Sequence, residues 1–98
     1  MTRAETLASL NAHSAAIRAR GATALYLFGS TARDEARGGS DVDLFVEYDG
    51  AKTFSLLDLA GIKNFLEDTL AVSVDVTTRD SLHPRLRDRI ERSAIRVF

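Results

Sequence analysis

The segment Leu25–Asp49, LYLFGSTARDEARGGSDVDLFVEYD, contains two patterns that together indicate the fold. One apolar run ends at Gly29, which Ser30 follows. Asp41 and Asp43 then stand two residues apart where the next apolar run begins. Because successive side chains of a β-strand point to opposite faces, the two carboxylates share one face and the apolar residues between and after them occupy the other. The segment therefore predicts two strands, the second acidic on one side at its start.

The rest of the chain alternates between helical and extended patterns, which predicts an α+β fold. Thr2-Arg3-Ala4-Glu5 fits a capping box, so a helix is expected from there to a C-cap at Gly21. The other expected elements are strands over 24–28, 41–48 and 72–78, helices over 31–36 and 54–70, a helix begun by Pro84, and an edge strand over 94–98. We expect a single domain over residues 1–98: a two-layer structure with a small mixed β-sheet, helices packed on one face and the other face open.

Apolar residues at helical spacing predict which side of each helix is buried. In the first helix these are Leu7, Leu10 and Ile17. The 54–70 helix is expected to place Leu56, Leu59, Ile62 (or the stem of Lys63), Leu66 and Leu70 inward, and the last helix Leu82, Leu86 and Ile90.

Composition excludes several classes of protein. The net charge of −1 argues against a nucleic-acid partner, because phosphate neutralisation supplies most of the affinity of such proteins. The chain has no cysteine, so it can form neither disulfides nor thiolate metal sites. Its apolar runs are far shorter than the roughly 20 residues that cross a bilayer, and its N-terminus lacks the apolar run of a secretory signal. These features predict a cytoplasmic protein without membrane contact.

A third carboxylate, Asp75, lies in the alternating run VSVDVTT at 72–78. Alternation places Asp75 on the face opposite the valines, as it does Asp41 and Asp43 in their strand. If the two strands are neighbours, three carboxylates converge and raise each other's pKa. Mg²⁺ relieves that repulsion and is commonly bound by a few carboxylates together with substrate phosphates. Two such ions about 3.5–4 Å apart can clamp an in-line phosphoryl or nucleotidyl transfer.

Gly29 and Ser30 are suited to binding the phosphates of such a substrate. Glycine lets an anion approach the backbone, and the serine hydroxyl and the following amides can donate to it. Each feature also has an ordinary explanation: a Gly-Ser pair is usually a turn, and Asp-x-Asp is often a solvated strand end. The conjunction of all the features at this spacing favours the functional interpretation.

The segment GSTARDEARGGSDVD, residues 29–43, resembles the Gly-Ser-x10-Asp-x-Asp signature of the nucleotidyltransferase superfamily related to DNA polymerase β. The short chain looks like the minimal branch of that superfamily, the MNT antitoxins paired with HEPN-domain toxins. The resemblance implies a palm-like fold in which Asp41 and Asp43 bind Mg²⁺. Asp75 would complete the metal site and help activate the attacking hydroxyl. Gly29 and Ser30 would hold the triphosphate.

The resemblance also implies an activity. A Mg-dependent enzyme of this branch would transfer AMP from ATP to a hydroxyl, expected to be a tyrosine of a cognate HEPN toxin, and release pyrophosphate. The alternative is a non-catalytic antitoxin that neutralises the toxin by direct binding. In either case the chain would act in an oligomer or hetero-complex. A transferase for small hydroxylated molecules ranks below both, because the sequence shows no surface for such a substrate.

Arginines and one departure from the signature complete the candidate site. Arg33 is expected to bind the nucleotide, with a surface role as an equally weighted alternative. The family often has glycine where this chain has Asp34, which would add an acid near the phosphates. Arg85, Arg89 and Arg92 fall at helical spacing and are interpreted as a solvated face, with partner binding as the alternative.

Overall fold

The capping signals of the sequence set the start of the first helix. The computed structural model describes residues 2–35 and 41–98. The Thr2 hydroxyl accepts a hydrogen bond from the Glu5 N–H at 3.1 Å, and the Glu5 carboxylate accepts one from the Thr2 N–H at 3.1 Å. This is the predicted capping box. The predicted single helix is interrupted at His13, whose φ of −106° and ψ of 14° are not helical, so two helices occupy the segment.

The chain continues through an alternation of helices and strands. The longest helix has 15 residues, and no helix formed by residues 2–35 and 41–98 is long and apolar enough to cross a membrane. The elements in chain order are α1 (Arg3–Ala12), α2 (Ser14–Ala19), β1 (Ala22–Phe28), α3 (Gly29–Ala32), β2 (Val42–Tyr48), α4 (Leu56–Leu70), β3 (Val74–Thr78), a single 3₁₀ turn (Arg79–Ser81), α5 (Pro84–Ser93) and β4 (Ile95–Arg96).

The four strands form one mixed sheet in the order β3-β2-β1-β4. Strand β2 pairs parallel with β3 and antiparallel with β1, which in turn pairs antiparallel with β4. The prediction of a mixed α+β sheet is confirmed, as is the edge position of the last strand. This order makes β2 and β3 neighbours, and β3 is reached through α4 as a parallel crossover requires.

One face of the sheet packs against the helices to form the main core. Its strand residues are alternate apolar side chains, and α1, α2 and α4 cover them with buried residues of their own. The strand members are Leu25, Leu27, Val42, Leu44, Val46, Val74 and Val76, and the helix members are Leu10, Ile17, Ile62 and Leu66. The period-2 and period-3.6 patterns of the sequence thus meet at one interface.

The second face is covered near its centre, so the expectation that it is open is wrong there. Phe45 is 0% exposed and its ring stacks on that of Tyr26, with centroids 4.7 Å apart. The Arg79 guanidinium lies over both rings, 5.4 Å from the Tyr26 centroid and 5.9 Å from that of Phe45. Glu91 of α5 pairs with Arg79 at 3.3 Å. Helix α5 therefore contributes to this face of the sheet.

Two leucines predicted to be buried are exposed. Leu56 is 83% exposed because α4 begins at that residue, with Ser55 as its cap, and Phe54 packs against the core before the helix starts. Leu86 is 46% exposed. Another side of α5 carries Glu91, which pairs with Arg79.

Candidate active site

The register of β2 against β3 aligns two of the three predicted carboxylates. Asp43 is directly opposite Asp75 in the parallel pairing, between the core-facing pairs Val42 with Val74 and Leu44 with Val76. The strand pairing that the sequence could only assume is therefore present. Asp43 is half-buried and Asp75 is exposed. Asp41, the residue immediately before β2, is also exposed.

The Asp43 carboxyl is electrostatically coupled to the other two. Its pKa is raised, first by burial and then by the negative charges of Asp75 and Asp41. The positive charge of Arg33 acts in the opposite direction and lowers it. The charges of Asp75, Asp41 and Arg33 all act on the Asp43 carboxyl, which indicates a single acidic patch with one arginine at its border.

The donor set suits a hard divalent cation, although it is not assembled around one. Within residues 2–35 and 41–98, no three carboxylate or imidazole side chains are grouped tightly enough to hold a metal ion. Repelling carboxylates on one side of two paired strands are nevertheless the all-oxygen ligands that Mg²⁺ takes, and binding would relieve the charge that raises the Asp43 pKa. The residues therefore fit the ion by the chemistry of their oxygen ligands.

Gly29 brings the end of β1 into direct contact with Asp43. Phe28, the last residue of β1, pairs with Asp43, and Gly29 follows with a φ of +76°. A Cβ at position 29 would overlap Asp43 Oδ2 and lie 3.2 Å from its Cγ. Both the left-handed backbone and the close carboxylate therefore require glycine. The sequence suggested that Gly29 makes room for a phosphate, and the structure adds that it makes room for a candidate metal ligand.

The segment after Gly29 turns at once into a short helix. Helix α3 begins at Gly29, two residues earlier than predicted, and ends at Ala32. Ser30 is half-buried within it, and Arg33 follows at its end. Arg33 is exposed and its Nε donates to Glu35 Oε2 at 3.1 Å. The predicted nucleotide-binding residues Gly29, Ser30 and Arg33 thus lie on one turn of chain beside Asp43.

Asp34 has a structural role that the sequence did not indicate. Its φ of +58° is left-handed, a backbone conformation that glycine adopts without strain. Aspartate is one of the few other residues that tolerate this conformation, which explains how it can stand here in place of glycine. Its carboxylate accepts the Arg3 N–H at 3.1 Å, at the first residue of α1. The Asp34 carboxylate, expected as an extra acid near the phosphate site, is bound to the first turn of a neighbouring helix.

A basic cleft adjoins the acidic patch and involves a residue whose role the sequence did not reveal. Among the described residues, a cavity of about 360 Å³ is lined by Arg33, Arg89 and Ser93. Arg89 was interpreted as part of a solvated face together with Arg85 and Arg92. Helical spacing alone does not distinguish among the three, because the distinction depends on α5 lying next to α3.

A polar cluster at the far end of β2 is separate from this site. Tyr48 donates to Asp80 Oδ2 at 2.9 Å, and the Thr78 hydroxyl donates to Asp80 Oδ1 at 2.6 Å. The hydrogen bonds from Thr78 and Tyr48 lower the pKa of Asp80, and the bond to Asp80 raises the pKa of Tyr48. Tyr48 is five residues further along the strand than Asp43, roughly 17 Å at the usual rise, so this cluster does not belong to the acidic patch.

Comparison with known proteins gives a consistent result in sequence. A family model described as "Nucleotidyltransferase domain" matches residues 11–97. A protein of Methanocaldococcus jannaschii, provisionally named a protein adenylyltransferase, is 47% identical over 72 residues, covering 74% of this chain and 75% of its own. Protein adenylyltransferase MntA of Thermococcus cleftensis is 32% identical over 98 residues, covering 99% of this chain and 97% of its own.

Solved structures agree with the sequence matches. A structure described provisionally as a minimal nucleotidyltransferase aligns with a TM-score of 0.82 and 40% identity, covering 97% of this chain and 95% of that one. A toxin–antitoxin complex with AMP-PNP aligns at 0.71 with 19% identity, covering 100% and 73% of the two chains. A complex of a tri-AMPylated Shewanella oneidensis HEPN toxin with an MNT antitoxin aligns at 0.65 with 19% identity, covering 90% and 68%. At that identity the two complexes show a shared fold.

Proposed function

This chain belongs to the nucleotidyltransferase domain family, and from that membership we propose that it transfers AMP from Mg-ATP to a hydroxyl of a partner protein, releasing pyrophosphate. The observation that carries the proposal is the alignment of Asp43 with Asp75 across the β2–β3 pair, with Gly29 packed against Asp43. The names of the relatives support protein as the acceptor.

The three carboxylates have distinct parts in the proposed reaction. Asp41, Asp43 and Asp75 would hold Mg²⁺, which when bound stabilises the charge on the attacking and leaving oxygens. Asp75 is exposed at the border of the patch, where an incoming hydroxyl can reach it. It would help to activate that hydroxyl by accepting its proton. The hydroxyl oxygen would then attack the α-phosphorus while the bond from that phosphorus to the bridging oxygen breaks, and the electron pair of that bond would leave with pyrophosphate.

The turn between β1 and Arg33 would position the nucleotide. The Ser30 hydroxyl donates to a phosphate oxygen, and the Arg33 guanidinium, bound here only to the exposed carboxylate of Glu35, pairs with another. Gly29 keeps this turn against Asp43, so the phosphate contacts and the metal ligands stay in one geometry. Positioning of this kind supplies much of the rate of phosphoryl and nucleotidyl transfer.

We further propose that the partner is a HEPN-domain toxin and that the acceptor is a tyrosine hydroxyl. The support is the toxin–antitoxin complexes among the structural neighbours, one of them with an AMPylated HEPN toxin. In such a complex the partner would supply the surroundings of its own hydroxyl.

The test is intact-mass measurement of the partner after incubation with this protein, ATP and Mg²⁺. Wild type should add the mass of AMP, and Asp43→Asn should abolish the addition. Asp49→Asn is the matched control, because it removes the same charge from an exposed residue just after the other end of β2. Addition by Asp43→Asn at the wild-type rate would contradict the proposed chemistry.

Neutralisation by binding alone is the second candidate, and one surface feature favours it. Leu56 and Leu57 are each 83% exposed at the start of α4, away from the acidic patch, where a partner could cover them. The double variant Asp41→Ala with Asp43→Ala separates the candidates. Full protection of cells from the toxin by this variant would favour binding, and loss of protection together with an intact complex would favour catalysis.

A further inference from the structure

The start of α4 and the polar cluster at the far end of β2 enclose a cavity that the proposed reaction does not use. We propose that this cavity receives an arginine side chain of the partner protein, while Leu56 and Leu57 pack against apolar residues that flank that arginine. The inference rests on the proposed function only in taking a protein as the partner, and it identifies which surface of this chain that partner contacts.

The cavity combines apolar and polar lining residues. Its volume is about 330 Å³, near the lower end of the range for ligand pockets in proteins. Phe54 and Leu59 give it apolar surface, and the Phe54 ring stacks on that of Tyr48 with centroids 4.9 Å apart. Tyr48, Thr78 and Asp80 of the polar cluster also line it. A long cationic side chain has the same division, because its methylene stem is apolar and its head is charged.

The Asp80 carboxylate can accept a guanidinium in addition to the bonds that it already makes. Of the described residues that line the cavity, only Asp80 carries a charge. Hydrogen bonds from Thr78 and Tyr48 lower its pKa, so this carboxyl is ionised at neutral pH. An ionised carboxylate has about four acceptor positions, and these two bonds occupy one on each oxygen. Because Asp80 is exposed, the remaining positions are accessible to the paired N–H groups of an arginine.

A second negative charge lies next to the cavity. Ser55, which lines the cavity, donates its N–H to Asp58 Oδ2 at 2.8 Å and its hydroxyl to the same oxygen at 3.3 Å. The positive charge of Arg87 also acts on Asp80, but Arg87 is paired with Glu91 at 3.2 Å. The charges at the cavity are therefore complementary to a cationic side chain, which favours arginine or lysine over an acidic or purely apolar group. Arginine suits it better, because its planar head can pair with both oxygens of a carboxylate.

The two exposed leucines indicate that the cation belongs to a protein. Leu56 and Leu57 are the first two residues of α4, and each is 83% exposed. Leu56 also lines the cavity, so the apolar surface continues from the cavity to its outside. A free cation would leave these side chains in water, whereas a protein surface would cover them. Interfaces are commonly organised in this way, with an arginine or aromatic anchor in a pocket and surrounding contacts that exclude water.

The first test titrates the chain with N-acetyl-argininamide and with its neutral isostere N-acetyl-citrullinamide, followed by NMR of the backbone amides. Wild type should bind the arginine compound in the millimolar range, with shifts at the cavity, and the citrulline compound about threefold to fivefold more weakly. Asp80→Asn should weaken binding of the arginine compound by the same factor. Asp68→Asn is the matched control, because Asp68 is exposed on α4 and does not line the cavity, and it should match wild type. Equal affinity of wild type for the two compounds, or no binding of either, overturns the assignment.

The second test measures the affinity of the partner protein of the proposed reaction by calorimetry. Leu57→Ser and Asp80→Asn should each weaken binding at least about fivefold. Leu86→Ser is the matched control, because Leu86 is 46% exposed on α5 and does not line the cavity, and it should match wild type. Unchanged affinity in both Leu57→Ser and Asp80→Asn overturns the proposal. A wild type that sediments as a dimer, with Leu57→Ser a monomer, also overturns it, because a second copy then covers the leucines. Selective weakening supports the surface even where no AMP is transferred, in which case only the proposed reaction fails.

Discussion

Replacement of Gly29 by alanine tests the contact that joins β1 to the acidic patch. The new Cβ would overlap Asp43 Oδ2 in a backbone whose φ is +76°. A left-handed non-glycine residue costs about 1–2 kcal/mol, and displacing a packed side chain costs about 1–3 kcal/mol more. We therefore expect Gly29→Ala to lower the free energy of unfolding by about 2–5 kcal/mol, measured by urea denaturation.

The two contributions can be separated by a double-mutant cycle with Asp43→Ala. Truncation of Asp43 removes the atoms that the new Cβ overlaps, while the backbone strain at position 29 remains. The steric part of the loss, about 1–3 kcal/mol, should therefore be absent when Gly29→Ala is made in the Asp43→Ala background. Equal losses in both backgrounds would show that Asp43 does not pack against Gly29.

Gly61 provides the control for this cycle. It lies within α4, a Cβ there would have nothing within 4 Å, and its φ is not left-handed. Gly61→Ala should raise the free energy of unfolding by about 0.5–1 kcal/mol through helix propensity. A Gly29→Ala variant as stable as wild type, with Gly61→Ala behaving as expected, would refute the reasoning about the site's geometry.

Three further outcomes are expected. Asp34→Ala should lower the free energy of unfolding by about 1–2 kcal/mol in urea denaturation, because alanine is strained at a φ of +58° and the bond to the Arg3 N–H is lost. Asp34→Gly should retain most of the stability, because glycine adopts this φ without strain. Equal losses in the two variants would contradict the backbone argument. The pKa of Asp43 is raised in the folded chain from its ordinary value of 3.8, so the folded chain binds this proton more tightly than the unfolded chain does. Without Mg²⁺, the contribution of Asp43 to stability should therefore be full below pH 3.8 and should fall as the pH rises through the raised pKa. Asp43→Asn should remove this dependence in thermal unfolding followed across pH, and an unaltered pH profile would contradict it. Tyr48→Phe should raise the pKa of Asp80 in a carbon-13 NMR titration, because it removes a hydrogen bond that stabilises the carboxylate, and an unmoved pKa would show that the bond is absent in solution.

Much of the fold follows from local signals in the sequence. The capping box at Thr2 and Glu5 and the proline that opens α5 at Pro84 are short-range features whose physical effects do not depend on the rest of the molecule. The parity that places Asp43 and Asp75 on one face is equally local, because it follows from the geometry of a single strand. These predictions agree with the structure for that reason.

The features that the sequence did not yield depend on contacts between distant segments. Arg79 pairs with Glu47 and with Glu91, which joins β2 to α5 on the second face of the sheet. The place of Arg89 in the cleft depends on α5 lying beside α3. Asp34 stands where the family signature often has glycine. Its φ of +58° and its hydrogen bond from the Arg3 N–H, which only the structure reveals, show why the chain tolerates aspartate at this position.

Calorimetric titration of Mg²⁺ with a non-hydrolysable ATP analogue into wild type and Asp75→Asn tests the central claim most directly. Asp75 is exposed on an edge strand, so its substitution should leave the fold intact while removing one of the aligned carboxylates. We expect wild type to bind the metal–nucleotide pair and Asp75→Asn to bind it at least about tenfold more weakly. Equal affinity in the two proteins would contradict the claim that the paired strands form the metal site.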